Sequence, residues 1–338
     1  MQLPFFKKKA KSSGRVGVSV TGDVMAVAHL EMRQGVPHLR QCQTVEIGSA
    51  REAGPALERL VKSMGLDGEQ CSYVLDYQDY SMHLVEAPNV EPEELRVAMR
   101  WKVKDLLDMK VDDAAIDVFP VPDDAYRGRK MAYVVATQKA KIPAIVKMVE
   151  SAGLELAIVD IPELAMRNVS SLYLKDNNGA AFMDLRRTGS TMNITRDGNL
   201  YLSRRINTQL DPEVMQSDDW PSLRDRLVLE IQRSLDYYES QMGKGQINRI
   251  LIGPRQLDGE AMAEALNELL AAQVSPFNLA DYLQSDVAFN SVLQQQALTA
   301  VGATLRGAQR LEANGASAPD IEDDEIDNLN KLGNPEVA

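Results

Sequence analysis

Short apolar stretches broken by glycine-containing turns open the chain. Residues 15–20, 24–30 and 39–47 have the apolar composition of strands, and turns are predicted at residues 21–23 and 35–37. Apolar residues at helical spacing follow and stop at a glycine that can end a helix: Leu57, Leu60, Val61, Met64 and Gly65. The opening pattern therefore predicts three strands followed by one helix.

The middle of the chain mixes strand and helix patterns. Tyr80, Met82 and Leu84 alternate with their neighbours, as strand residues do. A proline followed by two acids marks the start of a helix that runs on to Leu107. Further strands are predicted at 72–75, 116–121, 131–136 and 156–160, and further helices at 142–152 and 161–172.

The second half repeats the order of the first. Three strands are predicted, at 180–185, 191–195 and 200–205. Asp197-Gly198 is a strong signal for a two-residue hairpin turn between the last two. One more strand at 247–252 and three helices follow, at 220–242, 260–270 and 290–306. The repetition indicates an internally duplicated α/β fold.

Length and charge narrow the class of protein. A chain of 338 residues suits about two domains, and its net charge of −12 argues against a broad nucleic-acid-binding surface. Residues 1–15 carry five basic residues and no acid, whereas residues 313–338 carry seven acids and one lysine. We therefore expect a flexible basic tail at 1–13 and a disordered acidic tail at 308–338.

Other features of the sequence favour a cytoplasmic protein without common catalytic motifs. There are two cysteines, no signal-peptide pattern and no apolar run long enough to span a membrane. HExxH, CxxC, GxSxG, GxxxxGK[ST] and GxGxxG patterns are absent, and three histidines are too few for a histidine-rich zinc site. No catalytic residue and no metal site is predicted.

Six stretches together resemble the PilM-like actin-fold proteins of type IV pilus assembly. Within that group of proteins, the resemblance is strongest to the MshI proteins of the MSHA pilus. These stretches cover much of residues 1–307 and keep the order and spacing of the family: 1–11, 85–107, 133–161, 182–205, 230–235 and 300–306. A generic α/β protein and another actin-like protein, related to FtsA or a sugar kinase, are the alternatives.

The resemblance implies an α/β, actin-like fold, that is, a ribonuclease H-like duplicated, two-lobed fold with an inserted subdomain of the PilM and FtsA type. The first lobe would comprise residues 14–78 and 139–175, and the second residues 176–307. The inserted subdomain would occupy residues 79–138. The two tails would lie outside these lobes.

The resemblance also implies a nucleotide cleft between the lobes, but the phosphate-binding motifs depart from the family pattern. Ser19 stands where the first motif has an aspartate, and Gly22 comes one place late. Asp23 is the only nearby carboxylate that could replace it. The second motif keeps Asp184, which could equally be a turn residue, but has Arg186 in place of a glycine. A long side chain there opposes close approach of the backbone to a phosphate.

The third motif, which the resemblance identifies as the adenosine motif, keeps Gly253 but replaces the next glycine with Pro254, which has no N–H. The expected remnant of the cleft is therefore Gly22, Asp184, Thr188, Gly189 and Gly253. No cofactor is expected and ATP hydrolysis is disfavoured, although binding of ATP with Mg²⁺ stays open. The protein is not expected to be an enzyme.

The family implies a scaffold that docks the cytoplasmic N-terminal tail of a PilN-like bitopic protein and connects pilus motor components at the inner membrane. The alternative function is an actin-like ATPase or nucleotide-binding switch in pilus or cell-division assembly. No nucleic-acid partner is expected.

Three further features have two interpretations each. The basic tail either contacts an anionic membrane or is simply solvated, and its candidate contacts are Phe5, Phe6, Lys7, Lys8 and Lys9. Trp101 either anchors a partner or lies partly in the core. The acidic tail is either an interaction arm or a solubilising end.

Overall fold

The computed structural model describes residues 14–174, 178–185, 190–206, 210, 213–255 and 258–306. Within them the strands of the first half are β1 (Gly14–Thr21), β2 (Val24–Arg33), β3 (Val36–Glu46), β4 (Gln70–Val74), β5 (Tyr80–Glu86), β6 (Ala114–Pro120), β7 (Met131–Gln138) and β8 (Glu155–Asp160). Those of the second half are β9 (Ala180–Asp184), β10 (Ser190–Arg196), β11 (Asn199–Ile206), β12 (Arg249–Ile252), β13 (Gln273–Pro276) and β14 (Gln284–Ser285). The α-helices are α1 (Ala50–Met64), α2 (Pro92–Lys102), α3 (Lys141–Ser151), α4 (Pro162–Tyr173), α5 (Trp220–Ser240), α6 (Gly259–Asn267) and α7 (Ser291–Thr304).

The first large sheet has the strand order β14-β3-β2-β1-β4-β8 and is covered on both faces. Alternate residues of β2 point to opposite faces, as the two-residue period of a strand requires. Met25 and Val27 pack with α1 and α3, whereas Ala26 and Ala28 pack with α4 and α7. Burial on both faces explains why β2 is almost continuously apolar.

The second large sheet repeats this arrangement in the order β11-β10-β9-β12-β13. Its first three strands are antiparallel, and β12 and β13 run parallel to β9. The predicted hairpin turn is present, because Asp197 and Gly198 both have positive φ, 50° and 71°, as a type I′ turn requires. Helices α5 and α6 cover this sheet with Leu227, Ile231 and Met262.

A small antiparallel sheet, β5-β7-β6, is inserted between β4 and α3 and carries α2. Met99 and Val103 of the α2 region pack with Val134 of β7. Trp101 points away from this core and is 66% exposed, so the interpretation of Trp101 as a core residue is wrong. A side chain that follows Met99 by two positions lies on nearly the opposite side of a helix.

Helix α7 packs on the first sheet, although the sequence analysis placed it with the second lobe. A Cβ on Gly17 of β1 would lie 2.0 Å from the Ala300 carbonyl oxygen, so the absent side chain lets the helix backbone touch the strand. The predicted lobe boundaries place residues 290–306 with a sheet that they do not cover. No helix among the described residues is long and apolar enough to cross a membrane.

Candidate functional site

The candidate site lies at the carboxyl ends of parallel strands in the two large sheets. Ser19, Val74 and Asp160 are register neighbours at the ends of β1, β4 and β8. Asp184 ends β9, and Gly253 directly follows β12. Ligands of α/β sheets bind outside such carboxyl ends, so these positions are where a bound nucleotide would be expected.

Ser19 is buried, and its hydroxyl has no hydrogen-bond partner among the described residues. It follows Gly17 by two positions and therefore shares the face of β1 that α7 covers. Neighbouring Asp23 is exposed on the β1–β2 turn. The position at which the sequence resemblance predicts a carboxylate is therefore a buried hydroxyl on the face of β1 that α7 covers.

The turn after β1 forms a hydrogen bond with the segment that follows β4. Gly22 has a φ of 61°, which suits glycine, and its amide donates to Oδ2 of Asp76 at 3.2 Å. Asp76 follows β4, and its Oδ1 accepts a second bond from the Gln78 amide. The amide that would face a phosphate thus faces a carboxylate, which has the same sign of charge as a phosphate.

Asp184 is buried and forms an ion pair with Arg255, which follows the adenosine-motif residues Gly253 and Pro254. Burial lowers the pKa of Arg255 to about 10, so the guanidinium still carries its charge at neutral pH. A buried carboxylate in contact with a buried guanidinium is a compensated pair. The sequence motifs gave no indication of a role for Arg255.

A second arginine forms an ion pair with Asp160, the carboxylate at the end of β8. Arg306 follows α7, and its Nη1 lies 3.1 Å from Oδ2 of Asp160. The other oxygen of Asp160 accepts a bond from the Ile161 amide at 2.9 Å. The two residues are far apart in the sequence, and sequence reasoning missed this pair.

Two further contacts of arginine and tyrosine side chains join separate parts of the described chain. Arg205 of β11 donates to the Tyr77 carbonyl at 3.3 Å, which joins the second sheet to the segment after β4. The hydroxyl of Tyr80 donates to the buried carboxylate of Glu163 on α4. Burial and the charge of Glu163 raise the pKa of Tyr80 well above its ordinary value. The first contact therefore joins the second sheet to the first half of the chain, and the second joins the inserted sheet to α4.

A cavity of about 380 Å³ lies on the second-lobe side of Arg255. Gly253 lines it, and a Cβ there would approach the Phe182 ring to 3.1 Å. Two helices begin at this cavity, and each first turn is already capped. The Asp258 carboxylate accepts from the Glu260 amide at 3.1 Å, and the Asn290 side chain accepts from the Leu293 amide at 2.8 Å.

The residues at the strand ends do not fit a metal-bound nucleotide. Mg²⁺ requires oxygen ligands, yet Asp160 and Asp184 are each paired with an arginine and Ser19 supplies no carboxylate. No group of three metal-binding side chains occurs among the described residues. Of the other predicted cleft residues, Thr188 and Gly189 lie outside the described residues, as do Arg186 and the candidate membrane contacts at 5–9.

No family model and no curated protein matches the sequence. Among solved structures, the PilM-PilN type IV pilus biogenesis complex is similar, with a TM-score of 0.69 and 15% sequence identity over 89% of this chain and 99% of that chain. The cytoplasmic domain of EpsL, an inner membrane component of the type II secretion system of Vibrio cholerae, has a TM-score of 0.47 and 12% identity over 85% of this chain and 95% of that chain. A Bacteroides thetaiotaomicron protein with an actin-like ATPase fold has a TM-score of 0.48 and 8% identity over 88% of this chain and 99% of that chain.

The similarity to the PilM-PilN complex, together with the repeated strand order of the two large sheets, confirms the predicted fold class. The chain has the actin-like, duplicated α/β fold, with a third sheet inserted in its first half.

Proposed function

We propose that this protein is a cytoplasmic scaffold of a type IV pilus assembly machine, bound peripherally at the inner membrane. The observation that carries the proposal is the similarity to the PilM-PilN complex over 89% of this chain and 99% of that chain. The resemblance of the sequence to MshI makes an MSHA-type pilus the system that we favour.

The partner that we propose is the cytoplasmic N-terminal tail of a PilN-like bitopic protein. Such a tail is an extended peptide, and extended peptides bind sheet edges or apolar grooves, where main-chain hydrogen bonds supply affinity. Through that tail the protein would connect components of the assembly motor with the inner-membrane complex.

The strand ends support a scaffold rather than an ATPase. A metal at Asp184 would have to displace Arg255, and breaking a buried ion pair costs about 3–5 kcal/mol. A metal at Asp160 would have to displace Arg306, whose side chain is more exposed, at 38%. We infer that ATP hydrolysis is absent.

Titration calorimetry with the tail peptide of the PilN-like protein from the same cell tests the proposal. We expect saturable binding in the micromolar range, with a scrambled peptide of the same composition giving no heat. The absence of binding at high micromolar peptide concentration would contradict the proposal that the protein is a scaffold for this tail.

A nucleotide-binding switch without turnover is the second candidate, and the cavity beside Gly253 favours it. The neighbouring ion pair between Asp184 and Arg255 opposes binding of a metal but not of the adenine base. Binding of a nucleotide should therefore not require Mg²⁺. Adenosine and ATP, each titrated with Mg²⁺ and with a chelator, separate the candidates. Equal binding with and without Mg²⁺ supports the nucleotide-binding switch, whereas no binding of any of these ligands supports the scaffold alone.

A further inference from the structure

Helix α2 exposes apolar side chains on the side away from the inserted sheet. Val97 and Trp101 lie one turn apart on this helix and are 61% and 66% exposed. Val90 precedes the helix, Leu106 follows it, and both are exposed as well. These four are among the nine large apolar side chains that the described part of the chain exposes, so nearly half of them lie within residues 90–106.

Two charged side chains form a continuous stripe with the two apolar residues of the helix. Glu94 and Lys104 are exposed, and with Val97 and Trp101 they occupy positions i, i+3, i+7 and i+10. These are the spacings of the seam along which two helices of a coiled coil meet. We call these four side chains the α2 stripe.

The α2 stripe lies opposite the side that the helix buries. Met99 and Val103 pack against the inserted sheet. The two apolar residues of the stripe are each two positions from Met99, which places them about 160° from it around the helix. The Val103 N–H still donates to the Met99 carbonyl at 3.0 Å, and the 3₁₀ turn Lys104–Leu106 follows directly. Lys104 therefore prolongs the stripe beyond the end of α2.

The charges of this segment are separated along its length and balanced in number. Residues 90–106 contain four acids and four bases, a net charge of zero. Three of the acids precede residue 95, whereas all four bases and the remaining acid, Asp105, follow it. Neither Glu94 nor Lys104 forms an ion pair within the described part of the chain. A surface that is acidic at one end and basic at the other complements the same surface turned end to end.

We propose that two copies of this protein bind each other through their α2 stripes, with the two helices antiparallel. A two-fold axis requires a surface that is complementary to itself. When Val97 lies opposite Trp101 of the second copy, Glu94 lies opposite Lys104 of the second copy, because the two pairs of residue numbers have the same sum. The symmetry repeats both contacts, so apolar side chains fill the centre and an ion pair closes each end.

The charge pattern favours a second copy over the other possible occupants. A parallel pair of helices would place Glu94 against Glu94 and Lys104 against Lys104, which repel. An anionic membrane would attract the basic end of the segment and repel the acidic end, and the net charge of zero gives it no overall attraction. The antiparallel pair satisfies both ends at once. This inference does not depend on the proposed pilus function.

The proposed interface is small, so the association should be weak and reversible. Helix α2 has 11 residues and is about 16 Å long. Two such faces bury less than the roughly 1,200 Å² at which stable complexes begin, and we expect a dissociation constant in the micromolar range or above. Trp101 should dominate the binding energy, since a central tryptophan is a frequent hot spot of interfaces.

Sedimentation velocity of the full-length protein over the micromolar range measures this association. We expect a monomer–dimer equilibrium that weakens as salt is added, because exposed ion pairs are screened. Trp101→Ala should abolish the dimer. Leu229→Ala is the matched control, since Leu229 is 44% exposed on α5 and lies outside the stripe, and it should leave the dimer unchanged.

An exchange of charges tests the antiparallel pairing itself. Glu94→Lys and Lys104→Glu should each raise the dissociation constant of the dimer at least about tenfold, because symmetry places like charges at both ends. An equimolar mixture of these two variants should dimerise as wild type does, since every lysine at position 94 or 104 then lies opposite a glutamate.

A wild-type protein that stays monomeric at every concentration would overturn the proposal. So would a dimer that survives Trp101→Ala, or single charge variants that dimerise as tightly as wild type. A mixture of the two variants that stays monomeric would also contradict the pairing of Glu94 with Lys104. Binding of the monomer to anionic vesicles that Trp101→Ala abolishes would assign the stripe to a membrane surface and would likewise overturn the proposal.

Discussion

The first strands of the two lobes occupy the same place in their sheets yet carry contrasting residues. When Ser19 of β1 is aligned with Asp184 of β9, Gly17 falls opposite Phe182. Gly17 has no side chain and admits the backbone of α7, whereas Phe182 fills the corresponding space and packs edge-to-face on Phe277 at 5.4 Å between ring centroids. At this point the first sheet meets the backbone of α7, whereas the second meets an aromatic cluster that includes Tyr173 of α4.

The strand ends differ in the same way. The first lobe has Ser19 at the end of β1 and Asp160 at the end of β8, whereas the second has Asp184 at the end of β9. Each remaining carboxylate is paired with an arginine from outside its own strand, Arg306 and Arg255. The two halves thus differ in sequence at these strand ends but share the pairing of a buried carboxylate with an arginine.

The largest effect is expected at the more buried of the two ion pairs. Arg255→Ala leaves the Asp184 carboxylate buried without its guanidinium, and we expect a loss of about 3–5 kcal/mol in the free energy of unfolding. Urea denaturation followed by circular dichroism measures it. The double variant Asp184→Asn, Arg255→Gln removes both charges and should recover much of the loss.

The first-lobe pair provides the internal comparison. Arg306→Ala should cost less than Arg255→Ala, because the Arg306 side chain is 38% exposed and the remaining carboxylate gains water. Equal losses of unfolding free energy in the two variants would show that the difference in burial between the pairs does not determine their contributions to stability.

The contact between Gly17 and α7 gives the next largest effect. Gly17→Ala places a Cβ 2.0 Å from the Ala300 carbonyl oxygen, so α7 must move away from the sheet, at a cost of about 1–3 kcal/mol. Thermal unfolding measures the change. Gly54→Ala in α1 is the control, since its Cβ would meet nothing closer than 3.9 Å and alanine favours a helix. A neutral Gly17→Ala would show that α7 does not touch β1 this closely.

Much of this fold could be predicted from the sequence because its signals are local. Strand alternation, turn glycines and the Asp197-Gly198 hairpin each depend on a few neighbouring residues, and the duplication follows from their repetition. The short strands β13 and β14 were missed, since four and two residues carry almost no periodic signal. The extent of α2 was overestimated, because the apolar pattern continues past Lys102 while the helix stops there.

The site was less predictable because its contacts join distant parts of the chain. The motifs drew attention to Ser19 and Asp184, which lie at the strand ends. They could not reveal that Arg306 reaches Asp160, because that pair depends on α7 returning to the first sheet. Nor could helical spacing alone decide which side of α2 Trp101 occupies, since Met99 and Val103 determine the buried side only once the third sheet is known.

The smallest effect concerns the hydrogen bond that ties the inserted sheet to the first lobe. Burial and the charge of Glu163 raise the pKa of Tyr80 well above its ordinary value of 10.0. Above pH 10 the unfolded chain releases this proton while the folded protein retains it, so the free energy of unfolding falls as pH rises. Replacing Tyr80 with phenylalanine removes that release, and the other buried tyrosines contribute equally to both proteins.

Wild type should therefore lose about 1.4 kcal/mol per pH unit more than Tyr80→Phe above pH 10, while the two curves run parallel at neutral pH. Urea unfolding between pH 7 and pH 11 measures both slopes. Glu163→Gln separates the causes, because it removes the neighbouring charge and leaves the burial. If the pH slope of Glu163→Gln lies between those of wild type and Tyr80→Phe, part of the pKa shift of Tyr80 is due to the carboxylate. If the wild-type and Tyr80→Phe curves stay parallel over the whole pH range, Tyr80 is not held in the buried contact that joins the inserted sheet to α4.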